Sequence, residues 1–171
     1  GICGMNVGLY CGDAKVCVRT NRGFLSAYAG SDPKWLHQVH GTAIVHADEA
    51  APEAEADGSW TMTPGVVLAI QTADCLPVIL TDPEGRIAVA LHAGWRGLAA
   101  GILQDGVKLV REKLSDPDTR ILAWLAPRIG ADDFEVGTDV LDAMKARLPD
   151  AASRFKPKAE AGKWLGDLAG L

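Results

Sequence analysis

The reactive side chains of this sequence concentrate in residues 72–97, where Asp74, Cys75, His92 and Arg96 occur. A cysteine thiolate and a neutral imidazole are ligands that zinc prefers in proteins. They are also the nucleophile and the base of cysteine-dependent hydrolysis. The residue types therefore indicate either a metal centre or a reactive thiol. Both sites require the side chains of Cys75 and His92 to lie close together. Whether they do depends on the secondary-structure elements that carry them.

A hairpin would bring Cys75 and His92 together. The sequence Asp82-Pro83-Glu84-Gly85 has Asp, Pro and Gly at the first, second and fourth positions of a type I turn. Strands folded tightly about this turn pair Thr81 with Arg86 and, at the far end, Cys75 with His92. Directly opposed side chains lie on one face, with β-carbons about 4.5–5.5 Å apart, close enough to share one zinc ion. A bulge that shifted the register by one residue would separate them.

A third metal ligand must come from elsewhere in the chain. The remaining histidines are His37, His40 and His46. In a strand over residues 34–40, His40 lies at the glycine-bounded end, where sites open, whereas His37 shares a face with apolar side chains. The pattern favours His40 and leaves the other two as alternatives. Three protein ligands with an open fourth position are typical of catalytic zinc, which acidifies the water that it binds.

Three charged residues could assist such a centre. Asp74 adjoins Cys75 and is a candidate proton shuttle, although strand alternation could turn it away. Arg96 belongs to the glycine-rich segment 93–97, whose backbone amides and guanidinium suit a phosphate or carboxylate. Arg22, on or near the first helix, is a second candidate for binding an anion. For both arginines a structural salt bridge is the alternative.

Periodicity predicts the elements that position these residues. Helical spacing predicts helices from Asp13 to Ala27, from Leu98 to Leu114 and from Thr138 to the residue before Pro149. Apolar and β-branched runs predict strands at 34–40, 66–71, 75–80, 87–92 and, as a buried strand, 121–125. Without a repeat or a linker, the pattern indicates one α/β domain over residues 1–171 with mixed or antiparallel pairing. Its N-terminal end has the appearance of being clipped.

The composition narrows the classes of function. Of the 171 residues, 48% are hydrophobic and 23% are charged, which suits a globular core. A net charge of −5 gives no electrostatic attraction to nucleic acid or anionic membranes, and no apolar run approaches the roughly 18 residues of a membrane helix. We therefore expect a small-molecule ligand. Five tryptophans leave room for a homodimer.

The cysteines indicate the compartment. Cys3, Cys11, Cys17 and Cys75 are too few and too irregularly spaced for a disulfide framework, which predicts a reducing, cytoplasmic location. Small thiols in apolar surroundings usually pack as hydrophobic groups. We therefore expect the first three of these cysteines to lie in the core.

Three sequence blocks resemble the signature of a known family: Gln38–Gly41, Thr72–Pro77 and Leu91–Gly97. They look like those of the bacterial laccase-domain family, also called the polyphenol oxidase or purine nucleoside phosphorylase family, and the likeness spans nearly the whole chain. The resemblance implies a single-domain α/β fold with sheets layered between helices, an α/β/β/α sandwich. The metal ligands implied are His40, Cys75 and His92. Gln38, in the first block, is a candidate substrate ligand.

The resemblance also implies an activity, a zinc-dependent phosphorolysis of adenosine, inosine and methylthioadenosine together with adenosine deamination. Arg22 or Arg96 would hold the phosphate. The alternatives are a polyphenol oxidase that uses Cu²⁺ and a cysteine-dependent hydrolase that edits peptidoglycan precursors. Four histidines are too few for a trinuclear copper centre, which disfavours the oxidase. The resemblance leads us to expect a serine- and glycine-rich N-terminal block and a further stretch after Leu171, and both are missing from the sequence given.

Overall fold

A computed structural model describes residues 4–171. Its helices are Lys15–Ala29 (α1), Trp95–Ala100 (α2), Ile102–Leu114 (α3) and Thr138–Arg147 (α4), with a 3₁₀ turn at Ala151–Arg154. Its strands are Leu36–His37 (β1), Ile44–His46 (β2), Ala54–Glu55 (β3), Gly58–Thr61 (β4), Leu76–Thr81 (β5), Ala88–Ala93 (β6), Leu122–Leu125 (β7), Glu135–Gly137 (β8), Phe155–Pro157 (β9) and Lys163–Gly166 (β10). Across residues 4–171, every helix is too short or too polar to cross a membrane.

The strands form three sheets. The largest has the order β2-β4-β6-β5-β7, in which β2 runs parallel to β4 and all other neighbours are antiparallel. A second, antiparallel sheet has the order β8-β10-β9, and β1 pairs with β3 in parallel. The predicted α/β fold with helices and mixed sheets is confirmed.

The core lies between the large sheet and α3. Alternation along β5 buries Leu76, Val78 and Leu80 on one face, and α3 packs against β5 and β6. The close approach depends on a glycine, since a β-carbon on Gly106 of α3 would lie 2.6 Å from Leu91. The opposite face of β6 carries His92, so the packed core lies on the other side of the sheet from this reactive side chain.

The helix predicted from Leu98 to Leu114 is two helices. Helix begins earlier, at Trp95, and Gly101 interrupts it with a left-handed φ of 104° that glycine adopts without a steric penalty. A single residue, Gly94, therefore separates the end of β6 from the start of α2. The first helix also starts later than predicted, because Ala14 rather than Asp13 precedes its first turn.

The β5–β6 hairpin has the predicted turn and a different register. The Gly85 amide donates to the Asp82 carbonyl at 3.0 Å, as expected for the turn. The buried Asp82 carboxylate also accepts hydrogen bonds from the Arg86 backbone amide and from Arg86 Nε, each at 2.7 Å. These bonds take Arg86 out of the ladder, so Thr81 pairs with Ala88 and the tight register is wrong.

The register difference amounts to two residues, and it leaves the reactive side chains on one face. His92 pairs with Pro77, and Cys75 lies two residues before Pro77 along the chain. Because side chains alternate with a period of two, a two-residue shift moves Cys75 from the directly opposed position to the diagonal one without changing its face. Cys75 and His92 are therefore close together as predicted, but as diagonal neighbours on one face and not as a directly opposed pair.

Two other predicted strands differ from the structure. The strand over 34–40 shrinks to Leu36–His37, and that over 66–71 is wrong apart from a single bridge between Lys34 and Leu68. The side chain of Gln38 makes hydrogen bonds where backbone bonds between two strands were expected. Its Nε2 donates to the Gln71 carbonyl and its Oε1 accepts from the Gln71 amide, both at 2.8 Å. A side-chain amide thus joins the two segments.

The predicted burial is wrong in two places. The strand predicted as buried at 121–125 is β7, an edge strand whose residues are all exposed, with Trp124 60% accessible. It pairs with β5 on one side only. Cys11 and Cys17 are also exposed rather than in the core, and Cys3 lies outside the described residues.

Candidate metal centre

The structure brings His40, Cys75 and His92 together. One potential ligand atom from each of these residues lies within 4.8 Å of the other two. Cys75 Sγ is 3.8 Å from His40 Nε2, and the two imidazole rings are 4.7 Å apart in an edge-to-face arrangement. Three segments supply them, since His40 follows β1, Cys75 precedes β5 and His92 lies near the end of β6.

A buried carboxylate holds the His40 loop in place. Asp57, just before β4, accepts hydrogen bonds from the amides of Val39, His40 and Gly41 at 3.1, 2.9 and 2.7 Å. His40 itself has a φ of 63°, in the left-handed region that residues with a β-carbon rarely adopt. Such strain persists where surrounding contacts enforce it, and here the three bonds to Asp57 do so.

The same carboxylate orients the second imidazole. His92 Nδ1 lies 2.7 Å from Asp57 Oδ1, and both side chains are buried. A carboxylate accepts, so Nδ1 carries the proton and Nε2 is left for the cluster. Carboxylate–histidine pairs of this kind orient imidazole ligands in metal sites. The sequence pattern did not predict this role of Asp57, which a lone carboxyl at the start of a buried strand could have signalled.

The two histidines differ in proton affinity. Burial lowers the pKa of His92, but the bond to Asp57 and the neighbouring Cys75 outweigh it and raise the pKa to about 9. The pKa of His40 is lowered, chiefly by burial and then by the positive charge of His92. Burial raises the pKa of Asp57, yet its bonds to His92 and the backbone amides bring that pKa below the ordinary value. A metal at this centre must therefore displace a proton from His92.

The donor set and its spacing fit a metal ion. Zinc bonds of about 2.3 Å to sulfur and 2.0 Å to nitrogen at a tetrahedral angle separate the two donors by about 3.5 Å, near the observed 3.8 Å. Gly94 makes room for the cluster, because a β-carbon there would lie 2.9 Å from His40 Cδ2 and 3.1 Å from Cys75 Sγ. One thiolate and two imidazoles suit zinc and also copper.

The cluster opens into a cavity of about 640 Å³. Its walls include the segment Asn6–Cys11 and the segment Ile70–Cys75, with the predicted residues Gln38 and Asp74 among them. Asp74 is exposed, whereas both ends of the Gln38 amide are engaged by the Gln71 backbone. Gln38 therefore shapes the wall.

The structure separates the two predicted anion-binding arginines. Arg96 is exposed in the first turn of α2, its guanidinium stacks 4.4 Å from the Trp95 ring, and its charge contributes to the lowered pKa of His40. Arg22 lies on α1, where its Nε donates to the Val7 carbonyl at 2.8 Å and its Nη1 pairs with Glu53. Arg22 lines a different cavity from the cluster of His40, Cys75 and His92.

The remaining histidines are engaged elsewhere. His37 stacks on Tyr10 with ring centroids 4.3 Å apart. His46 stacks on Trp60 at 4.1 Å and lies 3.2 Å from an oxygen of Asp48. Neither belongs to the cluster, so of the three candidates for the third ligand the described structure brings only His40 to Cys75 and His92.

Comparison with known proteins supports a family assignment. The family model described as multi-copper polyphenol oxidoreductase laccase matches residues 2–171. A purine nucleoside phosphorylase of Pseudomonas aeruginosa is 42% identical over 164 residues, covering 96% of this chain and 66% of that protein. Purine nucleoside phosphorylase YfiH of Escherichia coli is 41% identical over 167 residues, with the same coverages. The chain thus spans 66% of the length of these curated relatives.

Solved structures share the fold. A Neisseria meningitidis protein superposes with a TM-score of 0.88 at 40% identity, covering 98% of this chain and 67% of that one. YlmD from Geobacillus stearothermophilus superposes with a TM-score of 0.87 at 28% identity and the same coverages. The mixed α/β arrangement is therefore the one found in these proteins.

Proposed function

This chain belongs to the multi-copper polyphenol oxidoreductase laccase family, and we propose that it is a metal-dependent purine nucleoside phosphorylase. The observation that carries the proposal is the convergence of His40, Cys75 and His92 on a cavity of about 640 Å³, within the size range of small-molecule sites. Relatives that match 96% of the chain carry the name of that activity.

We propose zinc as the ion. When bound, zinc would supply a Lewis acid that polarises an oxygen of the bound reactants. The chain contributes an exposed His40 and a half-buried Cys75 on the cavity side and a buried His92 behind them. Asp57 keeps the two imidazoles in position through its bonds to the His40 loop and to His92 Nδ1.

In phosphorolysis a phosphate oxygen attacks C1′ of the ribose, the glycosidic C–N bond breaks, and the base leaves with the bonding electron pair and takes up a proton. We propose that Arg96 attracts phosphate, since its guanidinium is exposed and its charge reaches His40. Asp74, exposed on the cavity wall, is the candidate to move the proton. Adenosine, inosine and methylthioadenosine are the proposed substrates, with deamination of adenosine as a second reaction.

A specific arrangement favours one alternative, a cysteine-dependent hydrolase that acts on peptidoglycan precursors. Asp57, His92 and Cys75 form a carboxylate, imidazole and thiol series, the order that activates a nucleophile by general base catalysis. The copper oxidase has weaker support. Within residues 4–171 the structure has one cluster of three ligands, and His37 and His46 stack on aromatic rings away from it.

The test combines metal content with turnover. Purified protein should contain about one zinc ion per chain and convert adenosine and phosphate to adenine and ribose 1-phosphate, followed by chromatography. Cys75→Ala should lower zinc affinity and turnover by about 100-fold or more, since even residues that only orient a ligand cost 10–100-fold. Cys17→Ala is the matched control, because Cys17 is exposed on α1 outside the metal cavity.

Two outcomes would contradict the proposal. Full activity of metal-free protein on an amide substrate, lost in Cys75→Ala, would favour the hydrolase. Zinc binding without nucleoside turnover would show that the centre serves another reaction.

A further inference from the structure

A second cavity lies between α1 and the β2–β4 edge of the large sheet. Its volume is about 460 Å³, and among the described residues it shares only Leu36 with the wall of the metal cavity. Apolar side chains such as Trp35 and Val45 form much of its wall, and charged side chains line the rest: Arg19, Arg22, Asp32, Lys34 and Glu53. A cavity of this volume is within the size range of small-molecule sites.

Buried polar atoms without partners concentrate in this cavity. Within residues 4–171, four buried side-chain nitrogen or oxygen atoms have no hydrogen-bond partner, and three of them belong to the cavity lining: Arg22 Nη2, Glu53 Oε2 and Ser59 Oγ. Arg22 is 9% exposed and Ser59 is fully buried. Polar groups removed from water are costly unless they are hydrogen-bonded, so three of them around one cavity point to a ligand that pairs with them.

The three atoms specify the ligand's polar edge. Arg22 Nη1 pairs with Glu53 Oε1, which leaves Arg22 Nη2, with its two N–H groups, and Glu53 Oε2 without a partner in the described residues. The guanidinium also lies over the Trp35 ring, 4.1 Å from its centroid. A neutral group with a carbonyl beside an N–H would satisfy both atoms, because the carbonyl accepts from the guanidinium and the N–H donates to the carboxylate.

We propose that this cavity binds a small neutral molecule through a cis-amide (lactam) edge. The ligand carbonyl accepts from Arg22 Nη2, its N–H donates to Glu53 Oε2, and the Ser59 hydroxyl bonds to a further polar atom. Apolar walls enclose the body of the ring. Two sources offer this chemistry, an oxopurine or oxopyrimidine base and a cyclic amide unrelated to nucleobases. The site is independent of the metal centre and of the activity proposed for it.

Calorimetric titration of the metal-loaded protein with hypoxanthine and with 2-piperidone tests the proposal. The matched probes 1-methylhypoxanthine and N-methyl-2-piperidone lack the lactam N–H. At least one lactam should bind saturably, and its N-methylated partner should bind about tenfold more weakly, the loss expected for an N–H that donates to a carboxylate. Binding of hypoxanthine alone assigns the site to nucleobases, and binding of 2-piperidone assigns it to lactams in general.

Variants of the cavity separate this site from the metal centre. A β-carbon on Gly23 of α1 meets no atom within 4 Å, so Gly23→Leu places a side chain beside the cavity without a backbone clash and improves helix propensity. Gly23→Leu should abolish lactam binding, while Thr20→Leu, on the same helix outside the cavity lining, should leave it unchanged. Ser59→Ala should weaken it about 3–10-fold through the lost hydroxyl bond.

Three results would overturn the proposal. They are the absence of binding by either lactam up to about 10 mM, equal binding of the N-methylated probes, and unchanged binding to Gly23→Leu that remains folded by circular dichroism. Binding that is lost in Cys75→Ala and kept in Gly23→Leu would place the lactam in the metal cavity and overturn it as well.

Discussion

The metal centre and the cavity beneath α1 differ in the hydrogen bonding of their buried polar groups. At the metal centre, Asp57 accepts four hydrogen bonds, three from backbone amides and one from His92. In the cavity, Arg22, Glu53 and Ser59 each keep one buried atom without a partner in the described chain. At the first site the hydrogen bonds of the buried carboxylate are made within the chain itself. At the second site three buried polar atoms can form hydrogen bonds only with a ligand or with water.

Both regions nevertheless hold one residue in a strained conformation. His40 and Glu53 have φ values of 63° and 55°, in the left-handed region that favours glycine. In each case a charged partner from another segment holds the residue in place, Asp57 for the His40 backbone and Arg22 for the Glu53 carboxylate. Strain of this kind clusters at functional sites. The comparison predicts that removing polar groups harms the first region far more than the second.

The largest effect is expected at Asp57. Asp57→Asn removes the negative charge that His92 and three amides face, so zinc affinity should fall about 10–100-fold. The free energy of unfolding should fall by roughly 3 kcal/mol, because His92 loses the buried negative charge that it pairs with. Competition with a metal-binding dye and urea denaturation measure the two quantities. Asp132→Asn should change neither quantity, because the Asp132 carboxyl is exposed and makes no described side-chain hydrogen bond.

Unchanged zinc affinity in Asp57→Asn would show that the cluster holds its geometry without the carboxylate. The contrast between the two regions would then concern stability only.

A smaller effect is expected from pH. Folding raises the pKa of His92 from 6.5 to about 9, so the protonated imidazole stabilises the metal-free protein below pH 6.5, and this contribution is lost as the pH rises to about 9. Zinc needs the neutral imidazole, so its apparent affinity should rise about tenfold from pH 7 to pH 8. Thermal melting of the metal-free protein and zinc titration should therefore move in opposite directions with pH. A flat zinc affinity over this range would exclude His92 as a ligand that releases a proton.

The smallest effect is expected at Ser59. Its hydroxyl has no hydrogen bond in the described chain, so Ser59→Ala should change the free energy of unfolding by less than about 0.5 kcal/mol. Thr61, on the same strand and also buried, donates to Asp48 Oδ2 at 2.6 Å and accepts from the Thr63 amide. Thr61→Val should therefore cost about 1–3 kcal/mol. Equal losses in the two variants, measured by urea denaturation, would mean that the Ser59 hydroxyl is bonded in solution and would remove the contrast.

Local patterns accounted for the parts of the structure that neighbouring residues control. The turn at Asp82–Gly85, the strands on either side of it and the helix at Thr138 follow from short-range sequence preferences. The register was wrong because the Asp82 side chain bonds to Arg86, and alternation could not reveal a side-chain bond. The strand over 66–71 was wrong for a related reason, since Gln38 supplies bonds that a backbone ladder was expected to make.

The sequence by itself determined the candidate ligands, because thiol and imidazole chemistry and a hairpin turn are visible in residue types and short spacings. Only the tertiary structure decided what surrounds them. Asp57 and His92 are 35 positions apart and Arg22 and Glu53 are 31 apart, and each pair meets only because the sheet and α1 bring distant segments together. Contacts over such separations depend on the packing of the whole chain, which periodicity and propensity do not encode.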